Sequence, residues 1–149
     1  MNIDDIVKKL KKFPDIMELN HPITDVEIKR FQNTNGIELP NSYIELLKKF
    51  DGGEIFIPGT IIYGINTDVD NYNLKKINGK SIRENFNIPA TLLIIGKTND
   101  GDWLCINLNP KNEIIQWDHE QDEEFCRWEN LEEWLTETID EYVKYESSV

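Results

Sequence analysis

The stretch from Thr91 to Trp117 leaves this chain little choice of fold. Leu92-Leu93-Ile94-Ile95 is a continuous apolar run, and Trp103-Leu104-Cys105-Ile106-Asn107-Leu108 is a second run rich in apolar residues. Asn99-Asp100-Gly101-Asp102 between them is hairpin-turn chemistry, because glycine and short polar residues accept the positive φ that a tight turn demands. Asn109-Pro110-Lys111-Asn112 makes the next turn, before Glu113-Ile114-Ile115-Gln116-Trp117. Strands joined in sequence by loops this short run antiparallel, since a parallel return needs a crossover of about a dozen residues. The pattern predicts an antiparallel meander.

Helical signals lie on both sides of it. Ile3, Ile6, Val7, Leu10 and Phe13 recur at helical spacing, with Asp4 and Asp5 in the first turn, lysines after them and Pro14 as the stop. A second helix begins at Thr24, where Thr24 and Glu27 form a capping box and Ile23 and Ile28 a hydrophobic staple. It is expected to run to about Asn33, bury Val26, Ile28 and Phe31, and stop at Asn35-Gly36. Leu39-Pro40-Asn41-Ser42 opens a third, capped by Asn or Ser, with Tyr43, Leu46, Leu47 and Phe50 as its buried stripe and Asp51-Gly52-Gly53 as its end. Glu54 to Ile57 and Thr60 to Tyr63 read as short strands split by Pro58-Gly59, and Asn66 to Asn87 as a long polar connection with one helix. Asn130 with Glu133 starts a final helix reaching about Tyr145. Helices first, sheet in the middle and a helix last give an α+β fold, an antiparallel sheet with helices packed on one face, as a single domain over residues 1–149.

Charge narrows the partner. The chain holds 28 acidic and 16 basic residues, a net charge of −12. Residues 118–146 hold 12 of the acids and 2 of the bases, so −10 of that charge sits in the last fifth of the sequence. Phosphate binding requires a basic surface, so nucleic acid is excluded as the direct partner, and an anionic membrane is disfavoured on the same ground. The start of the chain lacks the basic and apolar regions of a signal peptide, and the two cysteines, Cys105 in a strand and Cys126 in an acidic turn, have no metal-site spacing. A cytoplasmic location is expected.

Several of these segments together resemble a known family. Ile23-Thr24 through Glu27, Gly36-Ile37-Glu38-Leu39-Pro40-Asn41-Ser42-Tyr43, Leu46-Leu47 and Asp51-Gly52-Gly53 look like the N-terminal signature of the SUKH superfamily. Leu92 to Gly96, Asp100-Gly101-Asp102-Trp103-Leu104-Cys105-Ile106 and Ile115-Gln116-Trp117-Asp118-His119-Glu120 are similar to its central strands. Within it, the branch named after a yeast cell-wall synthesis regulator is nearest, and the likeness covers about residues 20–145. The resemblance implies an α+β domain of the kind that serves bacteria as an immunity protein. Such a protein blocks a cognate toxin domain, very often a nuclease. It also implies no catalytic residues, because the matching positions are structural. The superfamily includes regulatory and scaffolding modules, which are the alternative reading.

The residues are then weighed on their own chemistry. Asp118-His119-Glu120-Gln121-Asp122-Glu123-Glu124 invites a general base at His119 or a ligand set, but a contiguous run after a strand reads as a solvated turn whose groups diverge. It lacks the glycine and loop spacing that calcium needs. No metal and no cofactor is expected. Asp100-Gly101-Asp102 is explained by hairpin geometry, and His21 by a surface loop. Trp103, Trp117 and Trp134 read as core or half-buried residues, whereas Trp128, beside the acidic run, reads as an aromatic anchor. The partner-binding residues expected are Asp118, Glu120, Asp122, Glu123, Glu124 and Trp128, with Asp68 and Asp70 of the polar connection as a second patch. Their carboxylates would meet a basic toxin surface as its anionic substrate does.

Overall fold

A computed structural model of the protein describes residues 2–55, 59–66 and 73–147. Helix α1 (Ile3–Leu10) leads through a 3-10 turn (Pro14–Ile16) to β1 (Met17–Leu19), followed by α2 (Asp25–Asn35) and α3 (Asn41–Leu47). Strands β2 (Gly53–Ile55) and β3 (Thr60–Ile62) precede two short helices, α4 (Leu74–Ile77) and α5 (Lys80–Asn85). Then come β4 (Leu92–Lys97), β5 (Trp103–Asn107), β6 (Ile114–Asp118), β7 (Glu123–Trp128) and α6 (Leu131–Ser147).

The strands form one sheet in the order β1-β2-β3-β4-β5-β6-β7, each neighbouring pair antiparallel. The α+β meander expected from the sequence is therefore observed, and it gains a strand at each edge. β1 is three residues long, too short to show a period. β7 carries Glu123, Glu124 and Arg127 and is largely exposed, so it has no apolar alternation to reveal it. Cys126 consequently lies on a strand and not in a turn.

The helix signals hold at the starts of α1, α2 and α6. Thr24 Oγ1 accepts from the Glu27 amide at 3.2 Å, its hydroxyl donates to Glu27 Oε1 at 3.1 Å, and Ile23 and Ile28 are both buried. Gly36 closes α2 in the left-handed conformation. Val26, expected inside, is 65% exposed. It stands about 200° around the helix from Ile28 and cannot share that buried stripe. Helix α1 stops at Leu10 rather than Phe13, and Pro40 occupies the α3 N-cap with no side-chain bond, because Asn41 and Ser42 already lie inside the first turn.

Helices α1, α3 and α6 pack on one another, and α6 packs on β7. Ile6, Leu10, Tyr43, Leu46, Leu135 and Ile139 from these helices are fully or almost fully buried. The register separates the two faces of the sheet. Ile106 pairs with Ile114 and Ile114 with Trp128, whose indole N–H donates to Glu137 of α6. Trp103 pairs with Trp117 and points the other way; there Phe86 meets Trp103 edge to face at 5.3 Å, and the Phe86 carbonyl accepts from the Trp117 indole at 2.8 Å. The segment around α4 and α5, read as a polar connection, thus supplies cover for the second face. Leu92 to Ile95 are buried without alternation because both faces are covered, each side chain contributing about 1.5–3 kcal/mol.

Polar residues of that segment replace a missing strand. β3 pairs with β4 only at Gly96 and Lys97. Where it departs, Asn78 donates to the Ile94 carbonyl and accepts from the Ile94 amide, both at 2.8 Å. Arg83 donates to the Leu92 carbonyl at 2.7 Å and to Asn78 Oδ1 at 2.7 Å. Buried backbone groups need partners, and here side chains provide them.

Candidate functional site

The acidic run is the turn of the β6–β7 hairpin. Asp118, the last residue of β6, accepts at Oδ1 from the Glu120 amide at 2.8 Å and the Gln121 amide at 2.9 Å, while its carbonyl accepts from the Asp122 amide at 3.0 Å. An aspartate that caps its own following amides builds a tight turn, and Asp122 completes it at φ 55. Asp122 Oδ2 accepts from Asn87 Nδ2 at 3.2 Å, which ties the turn to the end of α5.

His119 is not loose in solvent. Its Nδ1 lies 2.6 Å from Asp102 Oδ1, and its backbone N–H donates to the same oxygen at 3.1 Å. Asp102 Oδ2 accepts from Gln116 Nε2 at 2.7 Å. Burial raises the Asp102 pKa, but the bonds from Gln116 and His119 outweigh it and hold the carboxyl below its ordinary range. The hydrogen bond to Asp102 raises the His119 pKa, burial opposes this, and the nearby charges of Asp102, Glu120 and Asp118 add to the rise. The imidazole rests against Gly101, at φ 95, where a Cβ would stand 3.2 Å from His119 Cε1. Two hairpin turns, 98–102 and 118–122, are thereby clamped together.

The expectation that neighbouring groups of this run diverge is corrected at Asp118 and His119. The first folds back on the turn amides, and the second reaches a carboxylate on another strand connection. Asp102, assigned only to turn geometry, is a buried acceptor at 6% exposure. Asp102, Asp118 and His119 each offer a ligand atom within 4.8 Å of the others, the set among the described residues that comes nearest to a metal centre. Hydrogen bonds account for that proximity: both Asp102 oxygens and Asp118 Oδ1 are already accepting. The Asp–His pair also resembles half of a nucleophile-activating triad. Glu120 Oε1, at 3.7 Å, faces the outer His119 nitrogen, and a carboxylate there holds charge rather than supplying a hydroxyl or thiol nucleophile. What the arrangement does chemically is fix a turn.

Fixed in this way, the hairpin presents its remaining acids outward. Glu120 is 75% exposed at its side chain, and Glu123 makes no ion pair among the described residues. Glu124 and Glu113 bracket Arg127, at 2.7 and 2.5 Å, neutralising the one base on β7. Glu124 dominates the rise in the Arg127 pKa, so the guanidinium remains charged. Trp128, expected as an anchor, is half-buried against the core, with its indole bonded to Glu137. Helix α6 carries a further group of acids, Glu133, Glu137, Asp140 and Glu141, of which Asp140 pairs with Lys9 at 3.4 Å.

Asp68 and Asp70 lie outside the described residues. The loop that leads to them is anchored: Asp51, 4% exposed, accepts from the Ile65 amide at 2.8 Å and the Asn66 amide at 2.9 Å, and Tyr43 donates to the Tyr63 carbonyl. Sequence reasoning missed Asp51 and Asp102 as buried acceptors. An aspartate beside glycine reads as a turn residue wherever it points, and only long-range pairing reveals the difference. His21 is exposed, and Cys105 is buried with its thiol pushed up to about 12 by burial.

Among the described residues, no helix is long and apolar enough to cross a membrane. Comparison with curated proteins gives no match. The profile of the SMI1 / KNR4 family (SUKH-1) matches residues 22–137, a span running from the cap of α2 through the sheet and the clamped hairpins into α6, and the chain belongs to that family.

Proposed function

We propose that this chain is a cytoplasmic immunity protein, a single non-enzymatic domain that binds and neutralises a cognate bacterial toxin of nuclease type. Family membership supports a protein partner. The observation that carries the reading is the clamped β6–β7 hairpin, which gathers Glu120, Asp122, Glu123 and Glu124 within one fixed turn and the start of β7. A nuclease active site is basic because its substrate is anionic. Carboxylates held in advance, by Asp118 and the Asp102–His119 clamp, meet such a site without the entropy cost of ordering a loop. Asp118 and Trp128 contribute at the margins of this surface, and Asp68 and Asp70 are assigned to a second contact patch on their charge alone. Association is steered by charge and occludes the active site.

The test is co-purification with the product of the gene beside its own, followed by stopped-flow association across a salt series. Exposed charges act over about 8 Å at physiological ionic strength, so the on-rate should fall as salt rises. Converting Glu120, Asp122, Glu123 and Glu124 to Gln or Asn should lower the low-salt on-rate about tenfold and flatten the salt slope. An unchanged rate and slope would place the interface elsewhere.

A further inference from the structure

Phe125 is an aromatic ring with no evident reason to be outside. It is 65% exposed, on a strand whose neighbours in the sheet are nearly all buried. The pairing of β6 with β7 steps from Gln116↔Cys126 to Trp117↔Glu124, so Phe125 is the extra residue of a β-bulge. Bulges of this kind re-aim a side chain, and they recur next to functional sites. β7 ends the strand order, so its outer edge has no strand partner among the described residues. The other edge strand, β1, is three residues long, whereas β7 has six.

The charges around Phe125 choose between occupants. Glu123 and Glu124 precede it, Asp122 and Glu120 lie in the adjoining turn, and Arg127 is already held between Glu113 and Glu124. A second copy of this chain would set the same carboxylates against them, and charge on an edge strand is how proteins prevent such self-pairing. A surface of opposite charge is attracted by the same groups. An apolar side chain at the centre, ringed by charged groups that steer and then exclude water, is the arrangement of an interface hot spot.

We propose that Phe125 is the apolar anchor of the partner interface, and that the outer edge of β7 receives a protein surface presenting an apolar socket rimmed by Lys or Arg. This rests on the reading that the partner is a protein with a basic face, and it adds the contact that holds the complex once charge has formed it. Phe125 therefore governs dissociation, while the surrounding acids govern association.

The probes are capped nine-residue peptides, one alternating Lys with Leu, one alternating Lys with Ser and one alternating Glu with Leu. Each is titrated into the full 15N-labelled chain and followed by amide shifts. The Lys-Leu peptide should bind with shifts centred on β7 and the 118–122 turn. Phe125→Ala should weaken it about tenfold, the effect of losing a hot-spot side chain. The Lys-Ser peptide should bind more weakly and equally to both proteins, and the Glu-Leu peptide should not bind. Because Phe125 is exposed, the variant should melt with the wild type, so loss of binding cannot be ascribed to misfolding. Equal affinity of Phe125→Ala and wild type for the Lys-Leu peptide, shifts centred on the acidic face of α6, or no binding at all would each overturn the proposal. The peptides contain no toxin, so such a failure leaves the co-purification and salt tests of the immunity reading to stand or fall separately.

Discussion

Removing the Asp102 carboxylate should separate the two hairpin turns, and its cost can be worked from the bonds it makes. In Asp102→Ala, Gln116 Nε2 loses its acceptor at 2.7 Å within a buried residue, and the His119 amide and Nδ1 lose theirs at 3.1 and 2.6 Å in a part-buried position. A buried donor left unpaired costs about 1–3 kcal/mol, and the part-buried His119 groups recover some of theirs from water. The expected loss is about 2–4 kcal/mol, or a fall in melting temperature of about 10 °C at this chain length. Asp102→Asn should cost less, about 1 kcal/mol. Gln116 can turn its amide over to accept from the new NH₂, leaving His119 bonded to a neutral oxygen. The ordering, alanine worse than asparagine, distinguishes lost hydrogen bonds from lost charge.

The same pair predicts a pH dependence with a definite sign. The His119 pKa is raised above 6.5 by Asp102, so the ionic part of its stabilisation is fully present below 6.5 and is lost as pH rises through the folded value. The Asp102 pKa is lowered from 3.8, so its contribution persists until pH falls below the ordinary carboxylate range. The gap between wild type and Asp102→Ala should therefore be larger at about pH 5.5 than at about pH 8.5. Urea unfolding followed by tryptophan fluorescence at the two pH values measures it. An alanine variant that unfolds with the wild type would show that Asp102 does not clamp the turns, and a gap that widens with pH would refute the ionic account of His119.

Two further expectations concern the scaffold. Thr24→Ala should cost about 1 kcal/mol, because the Glu27 amide loses its acceptor; a melting curve unchanged within error would remove the cap from the argument. Gly64→Ala would set a Cβ 2.1 Å from the Asp51 carbonyl and should cost about 3 kcal/mol, whereas Gly36→Ala, with open space around it and only a strained φ, should cost about 1 kcal/mol by thermal melting. A loss at position 64 no larger than that at position 36 would show that the Asp51 backbone gives way to the added Cβ.

Much of the fold was legible because its signals are local. The Thr24 cap, the Asn130 cap with its Glu133 amide at 2.8 Å, and the Leu92–Ile95 run all depend on residues a few positions apart. What was missed depends on partners far away in sequence. The segment from Asn66 to Asn87 reads as a polar connection because its partners are distant in sequence: Asn78 and Arg83 pair with strand backbone, and Phe86 meets Trp103 edge to face. β7 was hidden for a different reason: it is an exposed edge strand in which Phe125 and Cys126 are adjacent and charged residues fill the other positions before Trp128, so no apolar alternation announces it. Asp102 and Asp118 looked alike as acids near turns, and only the position of Gln116 across the ladder distinguishes the buried acceptor from the turn cap.

The acids of the hairpin divide into those that build it and those it displays, and this division can be tested directly. Asp118 and Asp102 accept hydrogen bonds from the turn amides, from Gln116 and from His119, so the hairpin is closed by them. The side chains of Glu120 and Glu123 accept no hydrogen bond among the described residues; Glu120 has only the 3.7 Å approach to His119. Changing both to Lys removes four units of negative charge from a chain of net −12, so self-repulsion falls while no hydrogen bond is lost. The double variant should melt within about 2 °C of wild type or slightly above it, since exposed substitutions away from caps and cores usually fall within ±0.5 kcal/mol. Its affinity for a basic partner should nevertheless collapse, because like charges set against one another across an interface cost on the order of several kcal/mol. A steep fall in melting temperature would mean that Glu120 and Glu123 also hold the turn. The surface would then be structural throughout, and the separation of a fixed scaffold from an exchangeable acidic display would be wrong.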